Sequence, residues 1–190
     1  DKLTVLSTRS DGTEGIKNVA IVGNSLLLWS IDFNALNRLS SGHFRYSRFV
    51  LENTKYWDWY FGLRHLLAEG ARPDVVAILI GSNHWLEDSV EGESFAYELL
   101  RPFDVILLRR QLNLDRTTAS TYFFVSGSSW LGKRAVIRKN LLRLIFPDFE
   151  LFTSRLTVPP RFPQAEIADK KAIARMRDLA NVCQSYGVRL

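Results

Sequence analysis

Cysteine is almost missing from these 190 residues: a single one, Cys183, excludes any internal disulfide and leaves the redox compartment open. Histidine is nearly as scarce. His43, His65 and His84 are scattered, and no histidine–cysteine group has zinc-ligand spacing, so neither a metal nor a cofactor is expected. No apolar run reaches the length of a membrane span. Neither a Gly-x-Gly-x-x-Gly turn nor a Walker lysine occurs, which sets aside nucleotide-binding readings of the glycines. No internal repeat is visible, and no segment has the low hydrophobicity that disorder requires.

What remains has the composition of one globular domain, 1–190. It is 46% hydrophobic and 12% aromatic, enough to bury a core. The formal net charge of +5 fits an anionic partner or a membrane surface without specifying either. Lys133, Arg134, Arg138, Lys139 and Arg143 are interleaved with Trp130, Leu131, Val136, Leu141 and Ile145. Such a basic amphipathic helix can meet anionic lipid, or it can be a solvated face over a core stripe. "HFRYSRF" mixes aromatic and basic residues once, with no nucleic-acid module around it, so no nucleic-acid partner is expected.

Residues 1–17 form a polar lead-in. Val19–Val22 is a continuous apolar run, as expected of a buried parallel strand, and it stops at Gly23-Asn24-Ser25. Leu26–Leu39 suits a helix interrupted near Ser30-Ile31-Asp32, with Asp32 able to cap a second turn. His43–Leu51 alternates as a second strand. "KYWDWYFGLRHLLAEG" follows with helical spacing and Gly70 where a left-handed cap belongs. "VVAILIG" is a third strand, followed by "SNHW". Strand, helix, strand, helix, strand is the pattern of a parallel sheet with helices on its faces.

From Ser94 to Phe152 the pattern is mostly helical, punctuated by Pro102 and Gly127, with Ser128 or Ser129 as an N-cap. With the Pro-rich "TVPPRFPQ" it reads as a helical insertion at about 94–160. "AEIADKKAIARMRDLANVCQSYG" is a long amphipathic helix with Ile167, Ile173, Met176, Leu179, Ala180 and Cys183 along one side. A helix end at Gly187 and a beginning strand close the chain. The start at Asp1 is that of a processed product or fragment, and the stop at "GVRL" leads us to expect that the last strand or strands are missing. A sheet edge left open in that way invites self-association.

Strand ends that turn into helices form the binding crevice of an open α/β sheet. Ser25 follows strand one and Asn83 follows strand three. A hydroxyl so placed can attack a carbonyl while nearby backbone N–H groups hold the oxyanion; equally, serine is a common helix cap. Asn83 is an amide donor to the same crevice, or simply a turn former.

"IVGNSLLLWSID" resembles the first block of SGNH (GDSL-type) hydrolases, whose usual form is Gly-Asp-Ser. "DVVAILIGSNHW" resembles their third block, Gly-x-Asn-Asp, with Gly81, Ser82 and Asn83 matching and His84 in place of the aspartate. The likeness covers roughly residues 18–86. It implies a flavodoxin-like three-layer α/β/α sandwich with a parallel sheet. It implies Ser25 as nucleophile, with the Ser25 backbone N–H and the Asn83 side chain as oxyanion donors. Gly23, Asn24, Asn53, Gly81 and His84 would line the substrate or oxyanion positions. The implied activity is that of an esterase or acyltransferase on a small ester or an acylated, notably acetylated, carbohydrate or lipid. An extracytoplasmic bacterial location is slightly favoured by such relatives.

Two departures stand out. The family's second block supplies a glycine, whereas this chain has "VLENTKYW", placing Asn53 or Glu52 there; an inward Glu52 carboxylate would repel an oxyanion. The family's Asp-x-x-His, which activates the serine, does not occur in the sequence. His65 sits within a helical pattern, His43 in a polar turn, and only His84 adjoins the crevice. An unassisted serine is a poor nucleophile, so the chain is expected to be weakly active or inactive as it stands. The alternative is a non-catalytic, carbohydrate-directed binding module on the same fold, with Ser25 merely a cap.

Overall fold

The two continuous apolar runs and the alternating stretch between them become three strands of one parallel sheet. The computed structural model describes residues 15–40, 42–128 and 165–190. The lead-in before residue 15, Ser129, the basic stretch Trp130–Ile145, the Pro-rich connector and the Ile167 side chain lie outside that description. The chain divides into two units, one of residues 1–91 with 165–190, the other of residues 92–164.

In chain order the first unit contains β1 (Lys17–Gly23), α1 (Ser25–Ser30), α2 (Phe33–Leu39), β2 (Phe44–Val50), α3 (Tyr56–Ala68), β3 (Val75–Leu79) and α4 (Ser82–Leu86). The second contributes α5 (Glu93–Leu99), α6 (Asp104–Leu112) and α7 (Arg116–Gly127), and α8 (Ala165–Ser185) returns to the first. The strand order is β2-β1-β3, all parallel. Val22 lies opposite Phe49 on one side and Ile78 on the other. As the central strand, β1 is covered on both faces, which is why its sequence is an unbroken apolar run.

The two faces carry different helices. Val19 and Ile21 pack with Leu27, Ile31, Phe33 and Leu36 of the α1–α2 segment. On the opposite face, Ala20, Val22 and Val76 are buried, and Phe49 meets Trp59 of α3 edge-on at 5.8 Å. Helix α8 packs against α3. The result is a flavodoxin-like α/β arrangement of three layers. The crossover leaving β1 uses one face and the crossover leaving β2 uses the other, so sheet growth reverses at β1 and the switch point lies between β1 and β3.

Local chemistry sets the breaks. Asp32 accepts the Asn34 and Ala35 N–H groups at 2.9 and 3.1 Å, separating α1 from α2. Gly70 (φ 108°) follows α3 in the left-handed region. After α8, Val188 is buried and Arg189 makes an isolated parallel bridge with Val75 on the β3 edge. The expected apolar side of α8 is corrected in part. Leu179 and Cys183 are fully buried, but Ile173 and Met176 are 56% and 55% exposed, and Arg175 is buried instead. Its guanidinium donates to the Trp85 carbonyl (2.7 Å), the Glu87 carbonyl (3.1 Å) and Asp88, and stacks over Tyr56 at 4.5 Å. These three acceptors and the stacked ring are what let a cation displace methionine from the interior.

In the second unit α7 packs against α5 and α6, burying Phe95, Leu99, Val105, Leu108, Ala119, Tyr122 and Val125. Ser128 closes α7 through an N–H bond to Val125; the helix expected to open there lies outside the described residues.

Candidate active site

The turn out of β1 is tight. A Cβ on Gly23 would stand 2.1 Å from the Leu79 carbonyl oxygen, so only glycine lets the end of β1 pass β3 at this distance. The Asn24 N–H then donates to that same oxygen at 3.3 Å. Asn24 caps α1: its Oδ1 accepts the Leu26 N–H at 3.1 Å and its carbonyl accepts the Leu27 N–H at 3.0 Å. Ser25 is therefore the first helical residue and not the cap. It is half-buried, and neither its hydroxyl nor its N–H has a hydrogen-bond partner among the described residues. A first-turn N–H has no acceptor within its own helix.

Hydrogen bonds hold the loop after β2 against the turn out of β1. Thr54 Oγ1 donates to the Leu51 carbonyl (2.7 Å) and accepts from Trp59 Nε1 (3.0 Å), which aims the Thr54 carbonyl at Asn24. Asn24 Nδ2 donates to that carbonyl at 3.4 Å. His84 Nδ1, from α4, lies 3.3 Å from the same oxygen and 3.4 Å from Asn24 Nδ2. With a proton on Nδ1 the ring donates to Thr54 and leaves Nε2 as its acceptor; with Nδ1 bare, it accepts from Asn24. Either way Asn24, Thr54 and His84 tie together the three loops at the carboxyl end of the sheet.

Gly81 brings the third loop in. A Cβ there would lie 2.8 Å from Asn83 Oδ1 and 3.6 Å from Leu26 Cδ1, so Asn83 and the residue after Ser25 both lean over Gly81. Asn83 is half-buried, and its amide has no hydrogen-bond partner among the described residues. Glu52 is exposed. Asn53 is also exposed and has φ 59°, a left-handed backbone that asparagine tolerates better than most residues.

The other histidines are engaged elsewhere. His65 pairs with Glu69 at 2.7 Å on α3, and the exposed His43 donates its backbone N–H to the Ser40 carbonyl ahead of β2. Among the described residues no hydrogen bond joins a histidine to Ser25, and no group of three or more His, Cys, Asp or Glu could hold a metal ion.

An ionic rim, not foreseen from the sequence, fixes residues 85–91. Lys55 bonds Glu87 (3.0 Å) and Ser89 (2.8 Å), while Arg175 and Lys171 hold Asp88. Burial would raise both carboxylates, but Lys55 outweighs it at Glu87, as Lys171 and Arg175 do at Asp88, so both are held below their ordinary range. Asp58 is different. It is fully buried, accepts the Lys55 N–H (2.7 Å) and the Glu91 N–H (3.0 Å), and burial pushes its carboxyl up to about 7.

No protein-family model, curated protein or solved structure matches this chain.

The site must therefore be read from its geometry. Thr54, Asp58 and Arg175 escape sequence reading because a backbone carbonyl has no sequence signature, Asp58 is a single charge in an apolar stretch, and Arg175 is one of many charges on α8. Asp58 did carry one signal: it stands three residues after the residue preceding α3, where a carboxylate accepts the exposed first-turn N–H groups.

Proposed function

We propose that the chain carries an SGNH-type acyl-transfer site, an esterase or acyltransferase centre in which Ser25 is the nucleophile. The observation that carries this reading is the division of labour at the β1 turn. Asn24 performs the capping, which leaves the Ser25 hydroxyl and N–H available at the switch point of the sheet. The Ser25 N–H and the Asn83 amide are the oxyanion donors. Ser25 Oγ attacks an acyl carbonyl, its proton passing to an external base such as imidazole that later returns it to the leaving alcohol. The attack forms the Oγ–C bond and places the negative charge on the carbonyl oxygen. Collapse expels the alcohol and leaves an acyl-serine, which water or an acceptor hydroxyl then takes up. The exposed Glu52 supports the reading by leaving the oxyanion position free of its charge, and left-handed Asn53 stands in the region of the family's second-block glycine.

The Ser25 proton needs a base, and no Asp-x-x-His occurs in the sequence. The substrate class is a small ester or an acylated carbohydrate or lipid. Hydrolysis of p-nitrophenyl acetate with imidazole supplied as an external base, abolished in Ser25→Ala, is the expected result; full activity in that variant would refute the assignment. That no histidine among the described residues bonds Ser25 favours one other reading, a carbohydrate-binding module in which the hollow holds an acyl sugar without cleaving it. Glycan binding unchanged by Ser25→Ala, with no turnover, is its signature.

A further inference from the structure

Helix α6 buries one flank and leaves the other uncovered. Val105 and Leu108 are buried, whereas Phe103, Ile106 and Leu107 are 84%, 60% and 43% exposed. Their spacing of three and four residues puts these side chains on one face, and Arg110 continues it by a turn. Beside them a hollow of about 360 Å³ opens between Ile106, Arg109, Arg110, Asn113 and Leu114. Arg109 Nε donates to the Leu114 carbonyl at 3.3 Å, which anchors that guanidinium at the rim. Among the described residues no acidic side chain lines the hollow. The nearest carboxylates in sequence are engaged: Asp104 is buried against Arg101, and Asp115 accepts from the Thr118 N–H and hydroxyl.

We propose that this face docks the protein on an anionic membrane surface. Phe103, Ile106 and Leu107 enter the acyl boundary, and Arg109 and Arg110 take lipid phosphates, one of them seated in the hollow. Charge decides the occupant. A second copy meeting this face about a two-fold axis would bring Arg109 and Arg110 against their own equivalents with no acid between them. Lipid phosphate supplies the missing opposite charge, and guanidinium matches it bidentately. At nine residues α6 is too short to span a bilayer, so it lies in the interface; no helix among the described residues is long and apolar enough to cross. This surface is independent of Ser25.

The test is flotation of the full chain with vesicles of phosphatidylcholine alone and of phosphatidylcholine with an equal part of phosphatidylglycerol. Binding is expected only to the anionic vesicles and falls as salt rises. Arg109→Gln/Arg110→Gln lowers the partition about tenfold or more, and Phe103→Ser/Leu107→Ser lowers it about as much through lost apolar burial. All four side chains are exposed, so thermal unfolding without vesicles stays unchanged and separates lost docking from lost folding. Binding retained by both double variants, equal binding to both vesicle types, or no binding overturns the proposal. So does a concentration-dependent dimer, formed without lipid and abolished by Phe103→Ser/Leu107→Ser, which would assign the face to a second copy.

Discussion

The Asn24 amide and the His84 imidazole stand 3.4 Å apart, and both reach the Thr54 carbonyl. One triangle thus joins the turn after β1, the loop after β2 and the helix after β3. Asn24 is therefore an architectural residue, while Ser25 beside it has no structural task among the described contacts.

That difference separates two neighbouring substitutions. Asn24→Ala removes the α1 cap and the bond to Thr54 and is expected to lower stability by about 1–2 kcal/mol. Ser25→Ala is expected to stay within about 0.5 kcal/mol of the parent. Urea unfolding of both variants checks this; a loss in Ser25→Ala matching that of Asn24→Ala would make the serine a structural residue.

The two glycines of the site answer differently to a methyl group. In Gly23→Ala the new Cβ meets the Leu79 backbone oxygen, which cannot yield without breaking the β1–β3 pairing. A loss of about 3 kcal/mol or more is expected. In Gly81→Ala the obstacle is the Asn83 side-chain oxygen, which can rotate away, so the loss is about 1 kcal/mol or less and the main effect is a displaced Asn83. Thermal melts of the pair test the contrast.

Asp58 makes stability depend on pH. Its folded carboxyl titrates at about 7, above its ordinary 3.8, so between these values the folded state holds more protons than the unfolded chain. Its contribution is complete below about pH 4 and is lost as pH rises through 7, with a slope of at most about 1.4 kcal/mol per pH unit. Asp58→Asn removes this term and flattens the profile over that window, though it leaves one of two N–H groups facing an amide nitrogen. Denaturant midpoints measured from pH 4 to 8 read the slope directly. An unchanged profile in the variant would show that another group sets it.

Arg175 holds residues 85–88 by three acceptors and a stacked ring. Arg175→Ala is expected to cost about 2–3 kcal/mol, because the Trp85 and Glu87 carbonyls lose their donor while exposed Asp88 keeps Lys171. Arg175→Lys recovers only part of this, since one ammonium cannot span that set. Amide hydrogen exchange of residues 85–91 should quicken in both.

The sheet was legible because β1 and β3 are short apolar runs ended by glycine, and buried parallel strands require that composition. The break at Asp32 was also legible, since an aspartate ahead of two free N–H groups has a defined capping role. The buried face of α8 was only half legible. Periodicity ranks Met176 above Arg175, and only the tertiary acceptors of Trp85, Glu87 and Asp88 reverse that order. At the site, Ser25 and Asn83 were visible from their place after glycine-ended strands. The partnership of Asn24 with His84 was not, because it runs through a carbonyl 30 residues from each.

One claim underlies the account: an acyl group seated between the β1 and β3 turns is presented to the Ser25 oxygen. Its most direct test is site-resolved mass spectrometry of the chain treated with p-nitrophenyl acetate, with imidazole supplied as an external base. The account predicts imidazole-dependent acetylation of Ser25 well ahead of exposed serines such as Ser120, slowed about a hundredfold by Asn83→Ala. Acetylation of Ser25 no faster than of Ser120, or a rate indifferent to Asn83, would contradict it.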